Sequence, residues 1–224
     1  MNHFNLINGV LHAEDVALSD IADAVGTPVY VYSRATFERH AQVFRDALSG
    51  LDNPHIAFAV KSNPNLAVLK VLARQGYGAD VVSGGEMDRA LAAGMAAEDI
   101  VFSGVGKTAE EITRALKAGI GQFNIESEEE GRELADIATS LELTAHAVLR
   151  INPDVDAGTH GKISTGKADN KFGVGIHRAA EIYARLSVLP NLHMRGLALH
   201  IGSQLTSLEP LETAFTKVGV LVQL

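Results

Sequence analysis

The feature that most constrains this chain is a repeat: short runs of β-branched or apolar residues alternate with longer stretches of helical period. The runs are HIAFAVKS (55–62), YGADVVS (77–83), IVFSG (100–104), QFNIES (122–127), TAHAVLRIN (144–152) and RGLALHIGS (195–203). A further strand-like run, TPVYVYS (27–33), precedes them. Neighbouring parallel strands must be joined by a crossover, and a helix is the usual one. The pattern therefore predicts an α/β fold with a parallel sheet. Six βα units in succession suggest a (β/α)8 TIM-type barrel, whose full form has eight strands and about 250 residues. This chain is expected to run out after about six of them. A doubly wound open sheet is the alternative architecture, although no GxGxxG follows the first strand.

Helix boundaries are marked locally. Asn63-Pro64 offers a cap followed by proline at the first helical position, and four segments fit the capping-box spacing: Ser83 to Glu86, Thr108 to Glu111, Ser127 to Glu130 and Thr206 to Glu209. Gly76, Gly94 and Gly119 follow the expected helices 64–75, 85–93 and 109–118. Between Ile151 and Phe172 the chain is polar, turn-rich and without period, as expected of a flap over a site or of an insertion.

Alternation along the strands sorts large residues from small ones. Ile56, Phe58 and Val60 fall on one face, and Ala57, Ala59 and Lys61 on the other. Leu197, Leu199 and Ile201 likewise oppose Gly196, Ala198 and His200. The large set should pack on helices, leaving space and a few polar groups on the inner side. Lys61, Asp80, Arg150 and His200 converge on the carboxyl end of the sheet, where barrels keep their active sites. On pattern alone duller roles stay open: a solvated Lys61, a hydrogen-bonded core His200, an Arg150 that anchors a rim carboxylate, and a Ser83–Glu86 segment that is only a turn and cap.

Composition removes other chemistries. The sequence has no cysteine, so a thiolate nucleophile, a disulfide framework and a Cys-based metal site are excluded within it. A net charge of -8 without a basic cluster disfavours nucleic acid. No apolar run approaches the ~18 residues needed to span a bilayer, and the N-terminus lacks the pattern of a signal peptide. The expectation is a cytoplasmic protein acting on a small molecule, with no metal.

The segments FAVKSNPN (58–65), GADVVSGGE (78–86), LRINPDVDAGTH (149–160), STGKADNKFGVGI (164–176) and HIGSQ (200–204) resemble, in order and spacing, those of the diaminopimelate decarboxylase family. That family belongs to the alanine-racemase-like, fold-type-III enzymes dependent on pyridoxal 5'-phosphate (PLP). The resemblance runs from about residue 25 to the end. It implies Lys61 as the lysine that carries PLP covalently, His200 as the histidine stacked on the pyridine ring, and Ser203 as a phosphate contact. Arg150 matches the arginine near the ring's edge, and Asp80 and Glu86 match acidic positions of the same site. Decarboxylation leaves electrons on the substrate's α-carbon, and PLP spreads them as an electron sink.

The implied reaction converts meso-diaminopimelate to L-lysine in a homodimer. Residues 1–33 would lead into a barrel at 34–224, with the glycine-rich phosphate loop, the EPGR segment and a C-terminal β domain following residue 224. The chain alone is then expected to be weak or inactive. Alternatives are a single-barrel PLP carrier without turnover, and ornithine, arginine or carboxynorspermidine decarboxylases.

Overall fold

The computed structural model describes residues 2–155, 172–203 and 205–222. An antiparallel sheet comes first, made of β1 (Phe4–Ile7), β2 (Val10–Ala13) and β3 (Val16–Ala17). Its first turn is Asn8-Gly9, with φ of 52° and 79°, the left-handed pair that a two-residue hairpin requires. Helices α1 (Leu18–Val25) and α2 (Arg34–Ala47) follow. The Glu14 carboxylate accepts from the Ser33 hydroxyl at 2.7 Å and from the Ala35 N–H at 2.8 Å, which ties this sheet to the start of α2. Those hydrogen bonds hold the Glu14 pKa below its ordinary value.

The strand expected at 27–33 does not form. No other strand reaches this run among the described residues, and Val29, Tyr30 and Tyr32 lie exposed. Its β-branched and aromatic residues have no ladder to join, so local propensity is not realised.

The expected parallel sheet is present. It contains β4 (Ala57–Ala59), β5 (Gly78–Val81), β6 (Ile100–Phe102), β7 (Gln122–Ile125), β8 (Ala145–Asn152) and β10 (Leu192–Leu199), side by side in that order. The short β9 (Val174–Gly175) pairs with the end of β8. All pairings are parallel, and among the described residues the sheet has β4 and β10 as its two edges. A bulge between Met194 and Gly196 shifts the register of β10 against β8.

Helices α3 (Leu66–Arg74), α4 (Gly84–Ala92), α5 (Ala109–Ala118), α6 (Glu128–Ser140), α7 (Ile176–Ser187) and α8 (Glu209–Val222) connect and cover the strands. Phe102 and Phe123, register partners on β6 and β7, pack with ring centroids 6.3 Å apart and are almost fully buried with Ile125, Leu134 and Leu186. The α6–α7 contact is close. A Cβ placed on Gly131 would lie 2.7 Å from Leu186 Cδ2.

The caps follow the sequence with two corrections. Ser83, Thr108 and Ser127 cap α4, α5 and α6 through their side chains, and Thr108 with Glu111 forms a full reciprocal box. Helix α3 is capped by Asn65 rather than Asn63. Asn63 instead accepts from the Asn65 N–H at 3.1 Å, bending the chain one turn before the helix. Helix α8 begins at Glu209, whose N–H donates to Ser207, so no box forms from Thr206. Of the polar stretch after Ile151, residues 156–171 lie outside the described residues.

Candidate functional site

Lys61 does not extend the first parallel strand. That strand stops at Ala59, and Val60–Ser62 form a single 3-10 turn. The turn is fixed at both ends: Val60 is fully buried, and the Ser62 hydroxyl donates to the Ala59 carbonyl at 2.7 Å. The Asn63 N–H closes it on Val60 O at 3.0 Å. Lys61 is thereby held at the carboxyl end of β4 with its side chain in the concavity of the sheet.

That concavity is a cavity of about 960 Å³ lined by Ala57, Ala59, Lys61, Asp80, Arg150, Ala198, His200 and Ser203, among others. The inner faces assigned from alternation are therefore the ones that line it. Small residues make the room: Ala59 is the register partner of Asp80, and Ala198 that of Arg150. The structure thus brings together five of the six expected site residues. Glu86 is the exception. Its carboxylate accepts from the Val82 N–H at 2.8 Å, while its own N–H donates to Ser83, so it serves the start of α4 and does not line the cavity.

Asp80 ends a chain of hydrogen bonds that crosses three strands. Gln122 Nε2 donates to Asn124 Oδ1 at 2.8 Å, Asn124 Nδ2 to Ser103 Oγ at 2.9 Å, and Ser103 Oγ to Asp80 Oδ1 at 2.5 Å. Every donor points the same way, toward the carboxylate. Such a chain polarises its members and keeps Asp80 acting as an acceptor.

Arg150 rests on a second acid, Glu126, at the end of β7. Arg150 Nη1 donates to Glu126 Oε1 at 2.9 Å, with side chains only 13% and 3% exposed. The guanidinium carbon lies 5.1 Å from the Phe172 ring centroid, within cation–π range. Burial lowers the His200 pKa from its ordinary value, and the positive charges of Arg150 and Lys61 lower it further, against smaller opposing effects of Asp80 and Glu126.

Sequence reasoning missed Glu126, Ser103, Asn124 and Phe172. Glu126 and Asn124 alternate along QFNIE on the same inner face as Gln122, so the period-2 sorting applied to β4 and β10 would have found them. It also missed Lys107, whose ammonium is buried beneath the ends of β6 and β7 on Glu130 Oε1 and the carbonyls of Gly104 and Asn124. Among the described residues no cluster of three or more His, Asp or Glu side chains could hold a metal ion, and no helix is long and apolar enough to cross a membrane.

Comparison with known proteins agrees with this fold. The family model described as pyridoxal-dependent decarboxylase, pyridoxal binding domain, matches residues 34–224. Diaminopimelate decarboxylase of Pseudomonas fluorescens is 55% identical over 99% of this chain and 53% of its own length. That of Zymomonas mobilis is 52% identical over 96% of this chain and 52% of its own. The crystal structure of diaminopimelate decarboxylase from Helicobacter pylori complexed with L-lysine superposes with a TM-score of 0.88 at 41% identity, covering 92% of this chain and 52% of that one. The chain spans about half the length of the curated relatives it matches. With a family model covering most of its length and relatives at this level of identity, the chain belongs to the pyridoxal-dependent decarboxylases, in their pyridoxal-binding domain.

Proposed function

We propose that this chain carries the PLP site of an enzyme that decarboxylates meso-diaminopimelate to L-lysine, with Lys61 as the cofactor lysine. The observation that carries the proposal is one cavity, at the carboxyl ends of parallel strands, lined by a primary amine, an imidazole, a guanidinium, a carboxylate and a hydroxyl: Lys61, His200, Arg150, Asp80 and Ser203. Its volume is in the range of small-molecule sites, about 300–1,000 Å³. The donor set fits PLP: an amine for an aldehyde, a flat ring for a pyridine, a hydroxyl for a phosphate. The names of the relatives support the substrate, as does the L-lysine bound by the Helicobacter pylori enzyme.

When bound, PLP supplies a sink for the electron pair left on the α-carbon as carbon dioxide departs. Lys61 Nζ would hold the cofactor and, once displaced by the substrate amine, remain in place to accept or return a proton. His200, whose pKa is lowered by burial first and then by the charges of Arg150 and Lys61, offers its ring face to the cofactor. Ser203 would donate to the phosphate, and Arg150 would present N–H groups to the ring's edge. Asp80, fixed by Ser103, supplies the negative charge opposite these cations. Glu86 supports the start of α4, outside the cofactor's contacts. Residues 34–224 form the cofactor-binding unit in this proposal and 1–33 the segment leading to it; the enzyme acts in the cytoplasm as a homodimer.

Incubation with PLP, borohydride reduction and peptide mapping tests the central claim. A pyridoxyl group is expected on the peptide holding Lys61 and should vanish in Lys61→Ala. Labelling elsewhere, or none, removes the proposal. Formation of L-lysine from meso-diaminopimelate by the protein that contains this chain, with no carbon dioxide released from ornithine or arginine, distinguishes the reaction from its relatives and from a PLP carrier. A monomer in light scattering would remove the dimer.

A further inference from the structure

Glu126 is a buried acid outside the lining of the cavity described above, yet both of its oxygens are used. Oε1 accepts from Arg150 Nη1 at 2.9 Å, and Oε2 accepts from the Gly173 N–H at 3.1 Å. The second partner matters because Gly173 belongs to the corner that seats Phe172 against the guanidinium. Gly173 has φ +73°, and a Cβ there would stand 2.9 Å from Arg150 O and 3.2 Å from Arg150 Cγ. Only a residue without a side chain can bring its N–H to Glu126 over that strand. One carboxylate therefore fixes both the direction of Arg150 and the backbone corner packed upon it. With Nη1 held from below, the guanidinium keeps other N–H groups for an acceptor in the cavity it lines.

Resting on the proposed cofactor site, we propose that Glu126 is a positioning residue for PLP that acts through Arg150. A carboxylate suits the task because it is acceptor-only on both oxygens. A glutamine in its place must turn its NH2 toward either Arg150 or Gly173, setting a donor against a donor whichever way it lies. Removing the charge also leaves Arg150 mostly buried without its counter-ion.

The test is the dissociation constant for PLP, read by absorbance titration in wild type, Glu126→Gln, Arg150→Met and the double variant, with circular dichroism as the check on folding. Glu126→Gln should weaken PLP binding on the order of tenfold, the usual cost of losing a hydrogen bond to a charged group. It should still label at Lys61 when PLP saturates. In the Arg150→Met background the same substitution should change affinity by less than about twofold, because the path through Arg150 is already cut. Glu126→Asp keeps the charge but falls one methylene short of spanning both partners; it should also weaken binding, and it serves if the glutamine variant does not fold. Unchanged affinity in Glu126→Gln, or an equal loss with and without Arg150, overturns the inference. If wild type fails to bind PLP at Lys61, the cofactor site itself is refuted; if wild type binds and Glu126→Gln binds equally well, only this inference falls.

Discussion

Replacing Lys107 by methionine isolates the energetic cost of one buried charge beneath the cavity. The Lys107 side chain is 1% exposed, and its three ammonium protons have three acceptors: Glu130 Oε1 at 2.6 Å, Gly104 O at 2.6 Å and Asn124 O at 2.7 Å. Glu130 is 13% exposed, and its other oxygen accepts from the Glu126 N–H at 2.8 Å. Methionine matches the length and removes the charge, stranding two carbonyls and a carboxylate in a poorly solvated place. Removing one partner of a buried ion pair costs about 3–5 kcal/mol. At roughly 2–4 °C per kcal/mol for a chain of this size, the thermal midpoint should fall by about 6–20 °C. Circular dichroism melts at fixed pH and concentration measure it. The double variant Lys107→Met/Glu130→Met removes the stranded charge as well and should recover more than half of the loss, since apolar replacement of a whole buried pair is often neutral. A single-variant loss below about 1 kcal/mol would place the pair with surface ion pairs. A double variant no better than the single would show that the stranded carbonyls and the Glu126 N–H, which loses its Glu130 acceptor, carry the cost rather than the ion pair.

Two further outcomes are expected. Gly131→Ala should lower the urea midpoint: the gain in helix propensity is about 1 kcal/mol, whereas the new methyl meets Leu186 and Ile125 in a filled core at a cost of about 1–3 kcal/mol; a raised midpoint would refute the steric argument. His200 should titrate below the ordinary imidazole range by NMR and move up in Arg150→Met. Because the folded pKa lies below the unfolded one, the unfolded chain binds the proton first, so this histidine's contribution to stability is present above the unfolded pKa and is lost as pH falls through that value toward the lower folded one. A stability profile equally steep in His200→Asn would refute the assignment.

The layout of the parallel sheet was legible because most units carry local punctuation: an apolar run, a side-chain cap on α3 to α6, and a glycine just after α3, α4 and α5. Ser83, Thr108 and Ser127 cap where the spacing says. What failed had distinct causes. TPVYVYS has strand propensity but no partner, and pairing is a tertiary fact that a run of seven residues does not encode. The N-terminal hairpin was the opposite case, since FNLI-NG-VLHA carries the strongest short-range hairpin signal and went unused. Alternation put Lys61 on the correct side although its backbone leaves the strand at Val60, because the 3-10 turn keeps the side chain at the strand's mouth. The acids were harder. Asp80 and Glu86 look alike in GADVVSGGE, yet one sits within β5 facing the cavity and the other has a nearer use at a helix start. Glu126 escaped notice because its value comes from Arg150, on the next strand, and Gly173, 47 residues further along the chain.

The bonded row from Gln122 to Asp80 also makes the cavity a witness to how the strands were zipped. Ser103 follows Phe102 directly, so a slip of β6 by one residue would swing an aromatic ring into the hollow and turn the hydroxyl toward the helices. A misaligned sheet could still look native in its helical content, yet it would offer a ligand a blocked hollow and an unsupported acid. Binding competence therefore discriminates between alignments of these strands that bulk spectroscopy would score as equal.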